Sequence, residues 1–98
     1  MKLGVFLSEY RTDTSILERL APEKLGIIFV GNGVYHAALK EKGQTSKVLD
    51  LKANFYVLKE DLETRGLSTS NLDGRVKPVS YGDVVDLIFN EYEKLIWV

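Results

Sequence analysis

Short apolar runs alternate along this chain with stretches in which apolar residues recur at helical spacing. Five runs read as strands: Leu3 to Leu7, Lys24 to Val30, Asn54 to Leu58, Arg75 to Val79 and Leu95 to Val98. The second run is apolar on both sides of the pleat, as expected of a central parallel strand covered by helices on both faces. It stops at Gly31-Asn32-Gly33, where glycine opens backbone conformations closed to other residues. Pro78 lacks an N–H, so the fourth run must lie at a sheet edge or a strand end.

Helical signals fall between these runs. Thr12, Asp13, Thr14 and Ser15 can each cap a short helix carrying Ile16, Leu17 and Leu20, which Pro22 ends. A second helix is predicted from near Gly33, with Val34, Ala37 and Ala38 inward, to about Gly43. Lys59 to Gly66 has its acidic residues first, then Arg65 and a terminal glycine, the order a short helix favours. Ser80-x-x-Asp83 is a capping-box-like start. Tyr81, Val84, Val85, Ile88, Phe89 and Tyr92 follow it as the clearest helical stripe. Gln44 to Lys52 fits a short strand, a helical turn or a packed loop, and Ser68 to Gly74 reads as a surface loop. Strand and helix alternating to a final strand predict an α/β fold. The expected form is a three-layer α/β/α sandwich with a mainly parallel five-stranded sheet, one domain over residues 1–98.

Composition narrows the function classes. With 45% apolar and 28% charged residues and a net charge of −1, the chain has no global basic field for nucleic acid or anionic membrane. It contains no cysteine, so it carries no thiolate or persulfide of its own. No apolar run approaches the roughly 18 residues of a membrane span, and the first residues run straight into charged ones, so a cytoplasmic protein is expected.

The candidate site is the Gly31-Asn32-Gly33 turn, where open α/β sheets bind ligands. It fits neither the dinucleotide fingerprint nor the P-loop, and His36 occupies the third glycine position of the former. Two readings stand: a tight turn with Asn32 serving its own backbone, or a ligand contact. His36, the only histidine, reads as a surface or half-buried residue. Asp61 follows the third strand as a phosphoacceptor would, with Lys77-Pro78 further on. The first strand, however, ends in Ser8-Glu9 rather than in a paired acidic cluster able to hold Mg²⁺. Asp61 and Arg65 are spaced to pair across one helical turn, which is the better reading. Tyr81 and Asp83 belong to the first turn of the last helix. Ile96, Trp97 and Val98 are either core or a subunit contact. No nucleophile–base pair or metal cluster is evident, so no enzyme activity is expected.

Several motifs in a fixed order carry a resemblance. Gly31-Asn32-Gly33-Val34-Tyr35 with Ala37-Ala38, and Phe55-Tyr56-Val57-Leu58 leading into Glu60-Asp61-Leu62, come first. Arg65-Gly66-Leu67 and Val79-Ser80-Tyr81 with Asp83 and Val85 follow, then a Trp-containing apolar C-terminus. Together they resemble the DsrH/TusB family over nearly the whole chain. The resemblance implies a DsrEFH-like fold and a non-catalytic place, without cofactor, in a sulfur relay. Its implied partners are cysteine-bearing DsrE/TusD-like and DsrF/TusC-like subunits and a DsrC/TusE-like acceptor, serving 2-thiolation of the tRNA wobble uridine or sulfur oxidation. Some members carry a cysteine in the first helix, which this chain lacks. An alternative is a stand-alone homo-oligomer of the same fold that binds a small molecule or anion at Gly31 to Gly33. Neither reading includes membrane attachment or direct nucleic-acid contact.

Overall fold

The computed structural model describes residues 1–10, 15–19, 22–39 and 43–98. The predicted caps Thr12 to Thr14, and Leu20, lie outside these residues. Strands β1 (Lys2–Leu7), β2 (Lys24–Phe29), β3 (Asn54–Leu58), β4 (Val76–Val79) and β5 (Lys94–Trp97) form one sheet in the order β4-β3-β2-β1-β5. Every neighbouring pair is parallel. β2 is the middle strand, as its two apolar sides predict. β4 lies at an edge, with Pro78 opposite Val57, as the missing N–H requires.

Helices α1 (Ser15–Glu18), α2 (Tyr35–Ala38) and α3 (Lys59–Thr64) contribute to one face of the sheet. There Leu3, Val5 and Leu7 of β1, Ile27 and Phe29 of β2, and Phe55 and Val57 of β3 share a core with Leu17, Val34, Ala37 and Leu62. The ambiguous 44–52 segment forms a 3-10 turn, Lys47–Asp50, whose Val48 and Leu49 enter the same core. The second helix is shorter than its sequence suggests. Gly31–Val34 forms a 3-10 turn before α2, and at Leu39 the chain turns extended. The Asp73 amide donates to the Ala37 carbonyl (2.9 Å), taking an acceptor that a longer helix would use internally.

The opposite face carries α4 (Tyr81–Asn90). Its start is the reciprocal capping box: the Asp83 amide donates to Ser80 Oγ (3.2 Å) and the Ser80 amide to Asp83 Oδ2 (3.0 Å). Val84 and Ile88 pack on Ile28, Leu58 and Val79. Beyond the helix, the Tyr92 ring fills a notch where Gly4 and Gly26 leave the sheet without side chains. The predicted stripe is only half buried: Val84 and Tyr92 are covered, whereas Tyr81, Val85 and Phe89 are exposed, Phe89 by 81%. Neighbouring residues lie about 100° apart around a helix, so Val85 and Phe89 turn away from the sheet that Val84 and Ile88 face.

Two glycines set how closely these layers meet. A Cβ at Gly26 would overlap the Tyr92 hydroxyl and ring, and one at Gly33 would overlap the Leu7 carbonyl oxygen. Gly26→Ala is expected to destabilise the fold by about 1–3 kcal/mol. Gly33→Ala should cost at least as much, because backbone rather than side chain must move. Gly82→Ala, where the new methyl meets only Ser80 Oγ in ordinary contact, should be neutral or stabilising by about 0.5 kcal/mol. Urea unfolding of the three variants checks the order; an unchanged midpoint for Gly33→Ala would contradict it.

Candidate functional site

The C-terminal ends of the parallel strands converge on the α4 face. Phe6 and Ser8 from the end of β1, Val30 and Gly31 after β2, Leu58 of β3 and Trp97 of β5 line a cleft of about 380 Å³. Asp61 of α3, with Tyr81 and Val84 of α4, closes it. This is the edge of an open α/β sheet at which ligands bind, beside the point where the strand order reverses. The cleft is largely apolar and its aromatic wall is held in place. The Phe6 and Trp97 rings stack with centroids 5.1 Å apart and planes at 21°. Trp97 Nε1 donates to Ser8 Oγ at 3.1 Å. Trp97 nevertheless stays 66% exposed and Tyr81 59%.

The glycine turn forms one rim of this cleft, and its polar groups are used within the chain. Gly31 has φ +54°, in the region glycine favours. Its amide donates to Asp61 Oδ2 at 2.6 Å. The Gly33 amide donates to the Val30 (2.9 Å) and Ser8 (3.1 Å) carbonyls. An anion at this turn would find both glycine donors taken. The side chain of Asn32 does not serve its own turn: its Oδ1 accepts from Arg65 Nε at 3.1 Å. Arg65 Nη1 reaches the main-chain carbonyl of Asp61 (3.1 Å), while the Asp61 carboxylate holds Gly31. The i, i+4 relation is real, but it joins guanidinium to backbone because the carboxylate points toward the turn.

The structure thus gathers Gly31, Asp61, Tyr81 and Trp97 at one cleft, with Asn32 and Arg65 on its rim. Gly33 is buried against β1. Tyr35 lies apart, with its ring edge-on to Tyr10 at 6.2 Å. Asp83 is spent on the α4 cap. Ile96 and Val98 pack against the core of the first face and leave Trp97 as the exposed member of that trio.

A sequence profile described as DsrH like protein matches residues 8–94. This chain belongs to the DsrH family. Among curated proteins it is 34% identical to protein TusB of Yersinia pestis and 30% identical to protein TusB of Photorhabdus laumondii. Both matches span 90 residues, covering 92% of this chain and 93% of the relative. Among solved structures it superposes on protein MTH1491 of Methanobacterium thermoautotrophicum with TM-score 0.70 at 16% identity, over the whole of both chains. Protein Tm0979 of Thermotoga maritima gives TM-score 0.58 at 26% identity, covering 90% of this chain and 93% of that one. The α/β fold with its parallel sheet is the fold of these neighbours.

Phe6, Ser8, Val30, Leu58 and Val84 complete the cleft of this DsrH-family chain, although the sequence motifs do not single them out for it. Strand alternation offers a signal for Phe6, which must face away from Val5 and Leu7. Nothing local marks Ser8 or Leu58, since the cleft is made by ends of strands far apart in sequence. Among the described residues, no helix is long and apolar enough to cross a membrane.

His36 departs most from expectation. It is 5% exposed, with Phe29 stacked at 5.6 Å and Tyr10 tilted against it at 4.9 Å. Nε2 lies 2.9 Å from the Glu9 carbonyl, which can only accept, so Nε2 carries the proton. Nδ1 then accepts from the Ser46 hydroxyl at 2.7 Å. A hydroxyl–imidazole pair therefore exists where none was expected. It is structural: Ser46 Oγ also accepts from the Val48 amide, and both ring nitrogens and flanking aromatic contacts are engaged. Burial depresses the His36 pKa below 6.5, outweighing the Glu9 carbonyl, which favours the protonated ring. Above the unfolded value of about 6.5 the ring is neutral in both states and its contribution to stability is complete. As pH falls through that value, the unfolded chain binds the proton first, and stability is lost until the folded pKa is passed. The urea midpoint should therefore drop between about pH 7.5 and about pH 5.5, above the range where carboxylates titrate. His36→Gln should flatten that change; an equal drop in the variant would assign it elsewhere.

Proposed function

We propose that this chain is a non-catalytic subunit of a cytoplasmic sulfur-relay complex. It would support persulfide transfer toward 2-thiolation of the tRNA wobble uridine or toward sulfur oxidation. The observation that carries the reading is the match to TusB proteins at 30–34% identity along 92% of the chain. The chemistry supports an indirect role. A persulfide must ride on a thiolate, and the sequence has no cysteine, so sulfur would travel on a cysteine-bearing DsrE/TusD-like subunit. A DsrF/TusC-like subunit and a DsrC/TusE-like acceptor would complete the relay. This chain, acting as one domain, would offer the rim formed by Gly31, Asp61, Tyr81 and Trp97 to the assembly.

For the alternative, a stand-alone homo-oligomer that binds a small molecule or anion at this edge, the anion is disfavoured, since the amides of Gly31 and Gly33 are already bonded within the chain.

Co-expression with cysteine-bearing DsrE- and DsrF-like proteins from the same genome should give a complex that survives size exclusion. In that complex, loading radiolabelled sulfur from a persulfide donor should label the partner's cysteine and leave this chain unlabelled. Isolation of this chain alone in every combination would contradict the proposal. So would unchanged relay activity when the chain is omitted.

A further inference from the structure

Trp97, stacked on half-buried Phe6, forms an exposed aromatic wall, and among the described residues Asp61 is the one carboxylate in the cleft beside it. We infer that this cleft receives an arginine side chain of a partner protein, an inference that rests on the reading of this chain as a subunit. The indole is pre-organised: it is stacked on Phe6 at 5.1 Å and tied to Ser8 Oγ at 3.1 Å, yet exposed. A rigid exposed aromatic loses little freedom on binding, as an anchoring surface requires. Ring faces carry negative potential and attract cations. Among the described residues, the lining contains no Lys, Arg or His. Arg65, one turn beyond Asp61, bonds instead to Asn32 and the Asp61 main chain. A carboxylate offers about four acceptor positions, of which the Gly31 amide takes one at 2.6 Å. The charge pattern thus selects a cation over an anion.

The surroundings point to a cation carried on a protein. From Tyr81 the exposed apolar row continues along α4 through Val85 and Phe89, outside the cleft. A contiguous patch of this kind marks a macromolecular contact. Arginine fits better than lysine, because a planar guanidinium stacks on an indole while its N–H groups bond a carboxylate.

Trp97 is the only tryptophan, so its emission reports on the cleft directly. Titration of the isolated chain with acetyl-Gly-Arg-Gly-amide should give a saturable change. The isosteric citrulline peptide, which is neutral, should bind roughly tenfold more weakly. Asp61→Asn keeps an acceptor for the Gly31 amide and should bring the arginine peptide down to the citrulline level. Tyr81→Ala, at an exposed position, gives an independent loss if Asp61→Asn fails to fold. Equal affinity for the two peptides, or no saturable change with either, would overturn the inference. Saturation by free guanidinium ion as tight as that by the peptide would make this a small-cation site and overturn the partner assignment. Because the isolated chain is used, failure here is distinct from failure to co-purify with relay subunits.

Discussion

A parallel sheet needs cover on both faces, and this one receives it unequally. Three short helices and two 3-10 turns contribute to the core of one face. Among the described residues, α4 is the one helix on the other, over Ile28, Leu58 and Val79, with Tyr92 beyond its end. The layers can approach only where side chains are missing, which is why Tyr92 lies over Gly4 and Gly26 and Gly33 meets the Leu7 carbonyl. Toward β1 and β5 the cover thins, and Phe6 and Trp97 supply it by stacking on each other. The cleft, the exposed α4 row and the accessible indole all follow from this asymmetry.

The polar groups of the turns and helix starts are bonded within the chain. Asp61 holds the glycine turn, Arg65 holds Asn32, Ser80 and Asp83 close the α4 start, and His36 is locked between Ser46 and Glu9. At Gly31, at the α4 start and at His36, the bond satisfies a group that burial or a helix end would otherwise leave unpaired. What the cleft offers outward is aromatic surface, with the acceptor positions of Asp61 that the Gly31 amide leaves open. That is the character of a surface for recognition, as the proposed subunit role requires.

Local pattern revealed the frame well. The unbroken apolar run of β2 marks the sheet centre, Pro78 marks the edge, and Ser80-x-x-Asp83 marks the start of α4. Each of these properties is decided by residues adjacent in sequence or by one missing donor. The candidate site was legible only in part. Gly31, Asp61, Tyr81 and Trp97 were visible as separate candidates, but their meeting depends on how strand ends stack in space. Spacing on one helix suggests an Asp61–Arg65 ion pair, whereas the Gly31 amide, thirty residues away, claims the carboxylate. The role of His36 was hidden for the same reason, since Glu9 and Ser46 reach it from distant segments. In α4, helical spacing identified the stripe without showing that half of it faces outward. That depends on how far one helix extends over five strands.

The central claim is that the Trp97 indole beside Phe6 is bare in the isolated chain and covered in the proposed complex. Acrylamide quenching of Trp97, measured on the isolated chain and on its complex with cysteine-bearing relay subunits whose own tryptophans are replaced by phenylalanine, tests it most directly. The account predicts strong quenching of the isolated chain, with red-shifted emission, and marked protection with a blue shift in the complex. Equal quenching in the two samples would show that the assembly leaves this face open, and would contradict it.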